Sequence, residues 1–249
     1  MNLYGLIGYP LGHSFSKNFF TNKFKTEGLE DCFFELFPLK NIEEFTGLIS
    51  SHSSLKGLAV TIPYKQSVIP FLHYINNETK KIGAVNCIKI NQAVLTGYNT
   101  DIIGFEKSFT PLLQKHHLKA LVLGTGGASK AVQFILNKLG IPFLLVSRTA
   151  GSSNISYAEI SEILLKEYTI IINCTPVGMA PYEDDKPAIP YQYISSPHYF
   201  YDLIYKPEET LFLSEGKRKG AVVKNGYEML VIQAEENWKI WNNKDDDET

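Results

Sequence analysis

Two groups of residues in this 249-residue chain have types and spacings that could do chemistry. The first is Gly124-Thr125-Gly126-Gly127-Ala128-Ser129, which directly follows the apolar run Ala120–Leu123 and opens an apolar helical stretch reaching Leu139. Glycines there let the backbone approach a phosphate group, and the exposed N–H groups of a helix start stabilise its negative charge. The pattern is that of a dinucleotide turn, although its sixth position is Ser129 rather than glycine, and a plain tight strand-to-helix turn would also produce it. The next strand end is more discriminating. A site for an unphosphorylated dinucleotide places Asp or Glu about 20 residues on, against the ribose 2′-hydroxyl. Here that end reads Ser147-Arg148-Thr149, with no carboxylate and with one of only two arginines in the chain, the other being Arg218. A guanidinium flanked by hydroxyls suits a 2′-phosphate, which favours NADP over NAD.

The second group comprises four polar segments: Ser14-Phe15-Ser16, Thr61-Ile62-Pro63-Tyr64-Lys65, Gly83-Ala84-Val85-Asn86 and Gly97-Tyr98-Asn99-Thr100-Asp101. Two of them directly follow expected strands, where ligands of open α/β sheets bind. Such a hydroxyl- and amide-rich set would serve a polyhydroxylated substrate. Lys65 and Asp101 are its one evident acid–base pair, and a carbonyl that receives hydride needs a proton for its developing alkoxide. Taken singly, Lys65 also reads as an ordinary surface lysine and Asp101 as a helix N-cap.

The elements that must position these residues follow from periodicity. Short apolar runs alternate with helix-period stretches throughout, the pattern of α/β architecture with largely parallel sheets. Strands are expected at Tyr4–Ile7, Cys32–Phe37, Leu58–Thr61, Val85–Ile90 and Val94–Thr96, the last two joined by a turn at Asn91-Gln92. A second series holds strands at Ala120–Leu123, Phe143–Val146, Thr169–Ile172, Phe200–Leu203 and Ala221–Val223. Helices are expected around Ile42–Ile49, from Asp101 to about His116, over Ala158–Leu165 and from Tyr227 to Trp241, the last with both tryptophans as core anchors. The loop 180–198, with four prolines, is either functional or hides a short element. The tail 244–249 reads as a frayed, solvated end.

Composition bounds the rest. Hydrophobic residues at 44% and charged residues at 20% are those of a folded soluble chain. A net charge of −2 gives no electrostatic drive toward nucleic acid or an anionic membrane surface. Three cysteines far apart, without C-x-x-C, suggest neither a disulfide framework nor a metal site. With no basic n-region and no apolar run long enough to span a membrane, a cytoplasmic location is expected.

Read in order, these segments resemble shikimate dehydrogenases over nearly the whole chain, from Tyr4 to Ala234. The resemblance rests on Ile7 to Ser16, Val60 to Lys65, Gly83 to Asn86, Gly97 to Asp101, Gly124 to Ala128, Ser147 to Thr149, Ile172 to Met179, Asp202 to Pro207 and Gly226 to Ala234. It implies NADPH-dependent, reversible reduction of 3-dehydroshikimate to shikimate, with Lys65 and Asp101 catalytic. Ser14, Ser16 and Tyr205 would hold the substrate carboxylate, and Thr61, Asn86 and Gln233 its hydroxyls. NADP(H) would be held by Gly124, Gly126, Gly127, Ala128, Ser147, Arg148, Thr149, Thr175, Met179, Gly226 and Met229. The implied fold is a substrate domain over 1–103, completed by the C-terminal helix 226–249, and a Rossmann-like NADP domain over 104–225; the chain would act as monomer or homodimer. Three positions depart from the family pattern: Ser147 replaces asparagine, Ile102-Ile103 stands where glycine is usual, and Glu228 occupies a place often held by glycine. An NAD-linked quinate/shikimate paralogue and a non-catalytic NADP-binding protein are the competing readings.

Overall fold

Asn2–Gly8 forms the first strand (β1), buried over nearly its whole length, which explains its continuous apolar run. The computed structural model describes residues 1–12 and 14–243; His13 and the tail expected to fray, 244–249, lie outside them. The chain divides into two units, Met1–Thr100 with the chain from Gln233 onward, and Asp101–Ile232.

In the first unit β1 is followed by α1 (Phe15–Thr26), β2 (Cys32–Pro38), α2 (Glu44–Ser51), β3 (Leu55–Val60), β4 (Tyr74–Ile75), α3 (Asn77–Ile82), β5 (Cys87–Asn91) and β6 (Val94–Tyr98). They build a sheet in the order β2-β1-β3-β5-β6-β4. It is mixed: β1 runs parallel to β2 and β3, and β4 to β6, whereas β3-β5 and β5-β6 are antiparallel. Both sheet faces are packed, one by Ile7, Phe45, Leu58 and Val68, the other by Tyr4, Phe20, Phe24 and Trp241.

The second unit contains α4 (Asp101–Phe109), β7 (Ala120–Leu123), α5 (Gly127–Lys138), β8 (Phe143–Ser147), β9 (Asn154–Ser156), α6 (Glu162–Glu167), β10 (Ile170–Asn173), β11 (Tyr199–Asp202), α7 (Leu211–Arg218) and β12 (Val222–Lys224). The sheet order β12-β11-β10-β7-β8-β9 is parallel throughout. Read from β9, this is the 3-2-1-4-5-6 order of a Rossmann sheet, with the direction of winding reversing between β7 and β10. The last helix, α8 (Tyr227–Asn242), begins in this unit, and from Gln233 belongs to the first. No helix among the described residues is long and apolar enough to cross a membrane.

Several expectations are corrected by local chemistry. The helix from Asp101 stops at Phe109 and tightens into a 3-10 turn over Thr110–Leu112, because Pro111 lacks an N–H and disfavours helical backbone before it. The helix expected from Ala158 starts at Glu162, where Ser161 Oγ accepts from the Leu164 N–H; the residues before it form β9 and a turn closed by a Ser156/Glu159 capping box. The β5-β6 turn is Gln92-Ala93 rather than Asn91-Gln92, both with positive φ (46° and 65°), as a two-residue type I′ hairpin requires. The loop 180–198 contains a short 3-10 turn at Tyr191–Tyr193.

Trp241 anchors α8 on the first sheet. Its indole N–H donates to the Ile88 carbonyl at 3.1 Å, and its ring lies where a Cβ on Gly57 would stand, 2.3 Å from ring carbon. Only glycine at 57 leaves room for it. Trp238 packs on the same cluster beside Tyr4.

Candidate functional site

The mixed sheet brings all four polar segments of the first unit to one end. β1 and β3 are parallel neighbours, so the chain leaving Gly8 toward Ser14 and the chain leaving Val60 toward Lys65 emerge side by side. The antiparallel β5 and β6 return to that end: Asn86 immediately precedes β5, its carbonyl accepting from the Val60 N–H at 2.8 Å, and Asn99-Thr100 immediately follow β6. Sequence reading had only two of these segments directly following a strand; the antiparallel return of β5 and β6 brings the other two to the same end.

Each segment is fixed locally. Ser14 caps α1, its Oγ accepting from the Lys17 N–H at 3.4 Å, and Ser16 lies in the first turn of that helix. Thr61 packs against Gly8, where a Cβ would meet its Cγ2 at 2.5 Å. Tyr64 is buried and donates to the Leu39 carbonyl at 2.5 Å, while the Lys65 carbonyl accepts from Val85 N–H at 2.6 Å. Lys65 is half-buried, unlike an ordinary surface lysine.

Asn86, Thr100, Gln233 and Asn237 form one buried network. The Asn86 amide donates to Thr100 Oγ1 at 3.0 Å and to Gln233 Oε1 at 3.4 Å, while its oxygen accepts from the Thr100 N–H at 2.7 Å. Thr100 Oγ1 donates to Asn237 Oδ1 at 2.6 Å, and the Asn237 amide reaches Gln233 Oε1 at 3.4 Å. Asn86 is only 3% exposed and Gln233 7%. Burying this many polar groups is tolerable because they satisfy one another. Asp101, next in the chain, is the buried first residue of α4 rather than its cap. Sequence reading did not single out Asn237 or Thr100 for this network. The signal was Gln233, Asn237 and Trp241 at four-residue spacing, on one face of a helix.

In the second unit, the winding of the sheet reverses between β7 and β10, and Gly124 and Thr175 meet at the ends of those strands. Gly124 has φ +101°, and a Cβ there would lie 3.0 Å from Thr175 Cγ2. Gly126 caps α5 with no side chain over the helix start, is exposed, and has nothing within 4 Å of a would-be Cβ. The start of α5 is thus left uncovered by any capping side chain, as an anionic pyrophosphate would require. Ser129, at the imperfect sixth position, is buried and donates to the Gly126 carbonyl at 2.7 Å, holding the turn.

Arg148 is exposed at the end of β8 and takes part in no ion pair among the described residues, whereas Arg218 is bound to Glu215. These residues fit a 2′-phosphorylated dinucleotide. Thr175 is oriented by Asn173, whose Oδ1 accepts from the Thr175 N–H at 3.0 Å and from its hydroxyl at 2.7 Å. Asn173 in turn donates to Asp202 at 3.0 Å, and Asp202 also accepts from Thr210 and from the Ile204 N–H. Burial pushes the Asp202 carboxyl up to about 7 against these three hydrogen bonds.

Tyr205, Met179, Gly226 and Met229 belong to this unit. Tyr205 is half-buried in the segment after β11, Met179 is exposed beyond β10, and Met229 is buried in α8. Gly226 passes so close to the Leu203 carbonyl that a Cβ would lie 2.1 Å from its oxygen. Glu228 is ion-paired with Lys224 of β12.

Comparison with known proteins finds relatives over nearly the whole chain. A family model described as the shikimate dehydrogenase substrate binding domain matches residues 6–88. The chain is 37% identical to the shikimate dehydrogenase (NADP(+)) of Staphylococcus aureus strain Newman, over 98% of this chain and 94% of that protein. Among solved structures it is similar to shikimate dehydrogenase from Aquifex aeolicus, with TM-score 0.86 and 36% identity, covering 97% of this chain and 92% of that one. It is also similar to the Thermus thermophilus shikimate 5-dehydrogenase in complex with NADP(H) and shikimate, with TM-score 0.86 and 27% identity, covering 97% and 94%. This chain belongs to the shikimate dehydrogenase family.

Proposed function

We propose that this protein catalyses the reversible, NADP-dependent interconversion of shikimate and 3-dehydroshikimate. The observation that carries the reading is the gathering of Ser14, Ser16, Thr61, Lys65, Asn86 and Gln233 at one end of the mixed sheet, a set of hydroxyls, amides and one amine suited to a hydroxylated carboxylic acid. Arginine is absent from that set, so the carboxylate falls to Ser14 and Ser16 at the start of α1, where the helix dipole favours negative charge, and to Tyr205. Thr61, Asn86 and Gln233 take the substrate hydroxyls.

NADP, when bound, accepts hydride in one direction and NADPH supplies it in the other. Lys65 takes the proton of the hydroxyl being oxidised, and returns it to the alkoxide oxygen in the reverse direction, with Asp101 as its partner carboxylate. Gly124, Gly126, Gly127, Ala128, Thr175 and Met179 serve the cofactor's phosphates and ribose. Ser147, Arg148 and Thr149 would recognise the 2′-phosphate, and Gly226 and Met229 would hold the cofactor at its nicotinamide end. Glu228, neutralised by Lys224, does not oppose a phosphorylated cofactor.

Steady-state oxidation of shikimate with NADP, run beside NAD and quinate, tests the reading. NADP and shikimate are the preferred pair. Equal efficiency with NAD and quinate would favour the paralogue, and NADPH binding without turnover of either acid would leave a binding protein.

A further inference from the structure

The stretch that follows β8 carries Arg148 but lacks an amide at position 147, and the fold supplies one from elsewhere. The Asn154 side-chain amide, at the start of β9, donates to Ser147 Oγ at 2.8 Å and to the Thr149 carbonyl at 2.8 Å. Ser147 Oγ itself donates to the same carbonyl at 2.6 Å. Both N–H bonds of one amide thus pin the residues on either side of Arg148. The loop is closed again at Gly151, whose N–H donates to the Asn154 carbonyl at 3.0 Å; a Cβ there would stand 2.8 Å from Asn154 Oδ1, so a larger residue would press on the amide that pins the loop. Asn154 is itself registered on the sheet, opposite Leu145.

Resting on the reading of Arg148 as the 2′-phosphate ligand, we propose that Asn154 is a positioning residue for cofactor selection. It holds the backbone of Ser147-Arg148-Thr149 in one conformation before any ligand arrives. A guanidinium on a pre-formed loop binds phosphate without the cost of ordering that loop. The NAD-type half of the cofactor makes no use of it, so Asn154 acts on the phosphorylated form alone.

The test compares Asn154→Ala, Ser147→Ala and Arg148→Ala in the full chain. It reads the Kd of adenosine 2′,5′-bisphosphate by calorimetry, the KM of NADP and of NAD, and thermal melting. Loss of two hydrogen bonds in Asn154→Ala should weaken the bisphosphate and raise KM for NADP about tenfold, with kcat and KM for NAD changed less than about twofold. Ser147→Ala should shift the same quantities in the same direction, and Asn154→Ala added to Arg148→Ala should have almost no further effect. If Arg148→Ala weakens the bisphosphate while Asn154→Ala does not, the proposal is overturned. Equal losses for NADP and NAD would overturn it too, by marking a purely structural role. If Arg148→Ala itself leaves bisphosphate binding unchanged, the underlying 2′-phosphate reading fails, and the proposal with it.

Discussion

Asn86 donates a hydrogen bond to Gln233 across 147 residues of sequence, at 3.4 Å, and this contact joins the last helix to the polar end of the first sheet. It exists because Trp241, two turns further along α8, is seated over Gly57 and bound to the Ile88 carbonyl. An apolar anchor at one end of the helix face sets the position of an amide at the other.

Replacing Gln233 by Ala should raise KM for shikimate about tenfold, the worth of one or two hydrogen bonds to a bound hydroxyl, and leave KM for NADP unchanged. Substrate titrations at saturating NADP read the effect. An equal rise for both substrates would place Gln233 in general stability rather than in the substrate site.

Trp241→Ala removes a buried indole packed on Tyr4 and Phe20 and should cost about 3–5 kcal/mol in urea unfolding. The same variant, studied at low temperature where it is folded, should lose shikimate affinity through the displaced Gln233. A variant with full stability would show that the indole is not the anchor.

Much of this was legible in the sequence, for identifiable reasons. The parallel second sheet announces itself through doubly buried runs such as Ile170-Ile171-Ile172, and Gly124 to Ser129 declares the strand-to-helix turn. The Asn86–Thr100–Asn237–Gln233 network was not legible as a whole, because it depends on the antiparallel return of β5 and β6 and on the docking of α8. Short elements also escaped. β4 and β9 have two and three residues, too few for a period, and α3 shows only its ends, an Asn76 cap and a left-handed Gly83 at φ +67°. The Gln92-Ala93 turn defied expectation since neither residue favours positive φ.

Gly126 and Gly124 should respond differently to alanine. At Gly126 a methyl meets nothing and φ is −75°, so Gly126→Ala should keep stability within about 0.5 kcal/mol while raising KM for NADP at least about tenfold, by obstructing the phosphate approach. At Gly124, φ +101° and Thr175 at 3.0 Å make the same change a loss of about 1–3 kcal/mol in the fold itself. Unfolding curves beside cofactor titrations separate the two; an unimpaired KM in folded Gly126→Ala would contradict the assigned phosphate approach.

Asp202 gives the fold a pH dependence of known sign. Its carboxyl is raised in the folded chain to about 7, from 3.8, mainly by burial, so between those values the folded state holds a proton that the unfolded state has lost. That contribution to stability is full below the unfolded value and is lost as pH rises to about 7. Asp202→Asn should flatten this part of the stability–pH curve, measured by urea unfolding at pH 5 and pH 7.5. An unchanged slope in the variant would show that Asp202 is not its source.

The acid–base role of Lys65 is the centre of the account, and single-turnover and steady-state oxidation of shikimate by Lys65→Ala at saturating NADP tests it most directly. The predicted result is a fall in kcat of about 10²–10⁴-fold, with NADP affinity and melting temperature kept. A kcat within a few-fold of wild type would contradict it, and the proton would have to travel by another group.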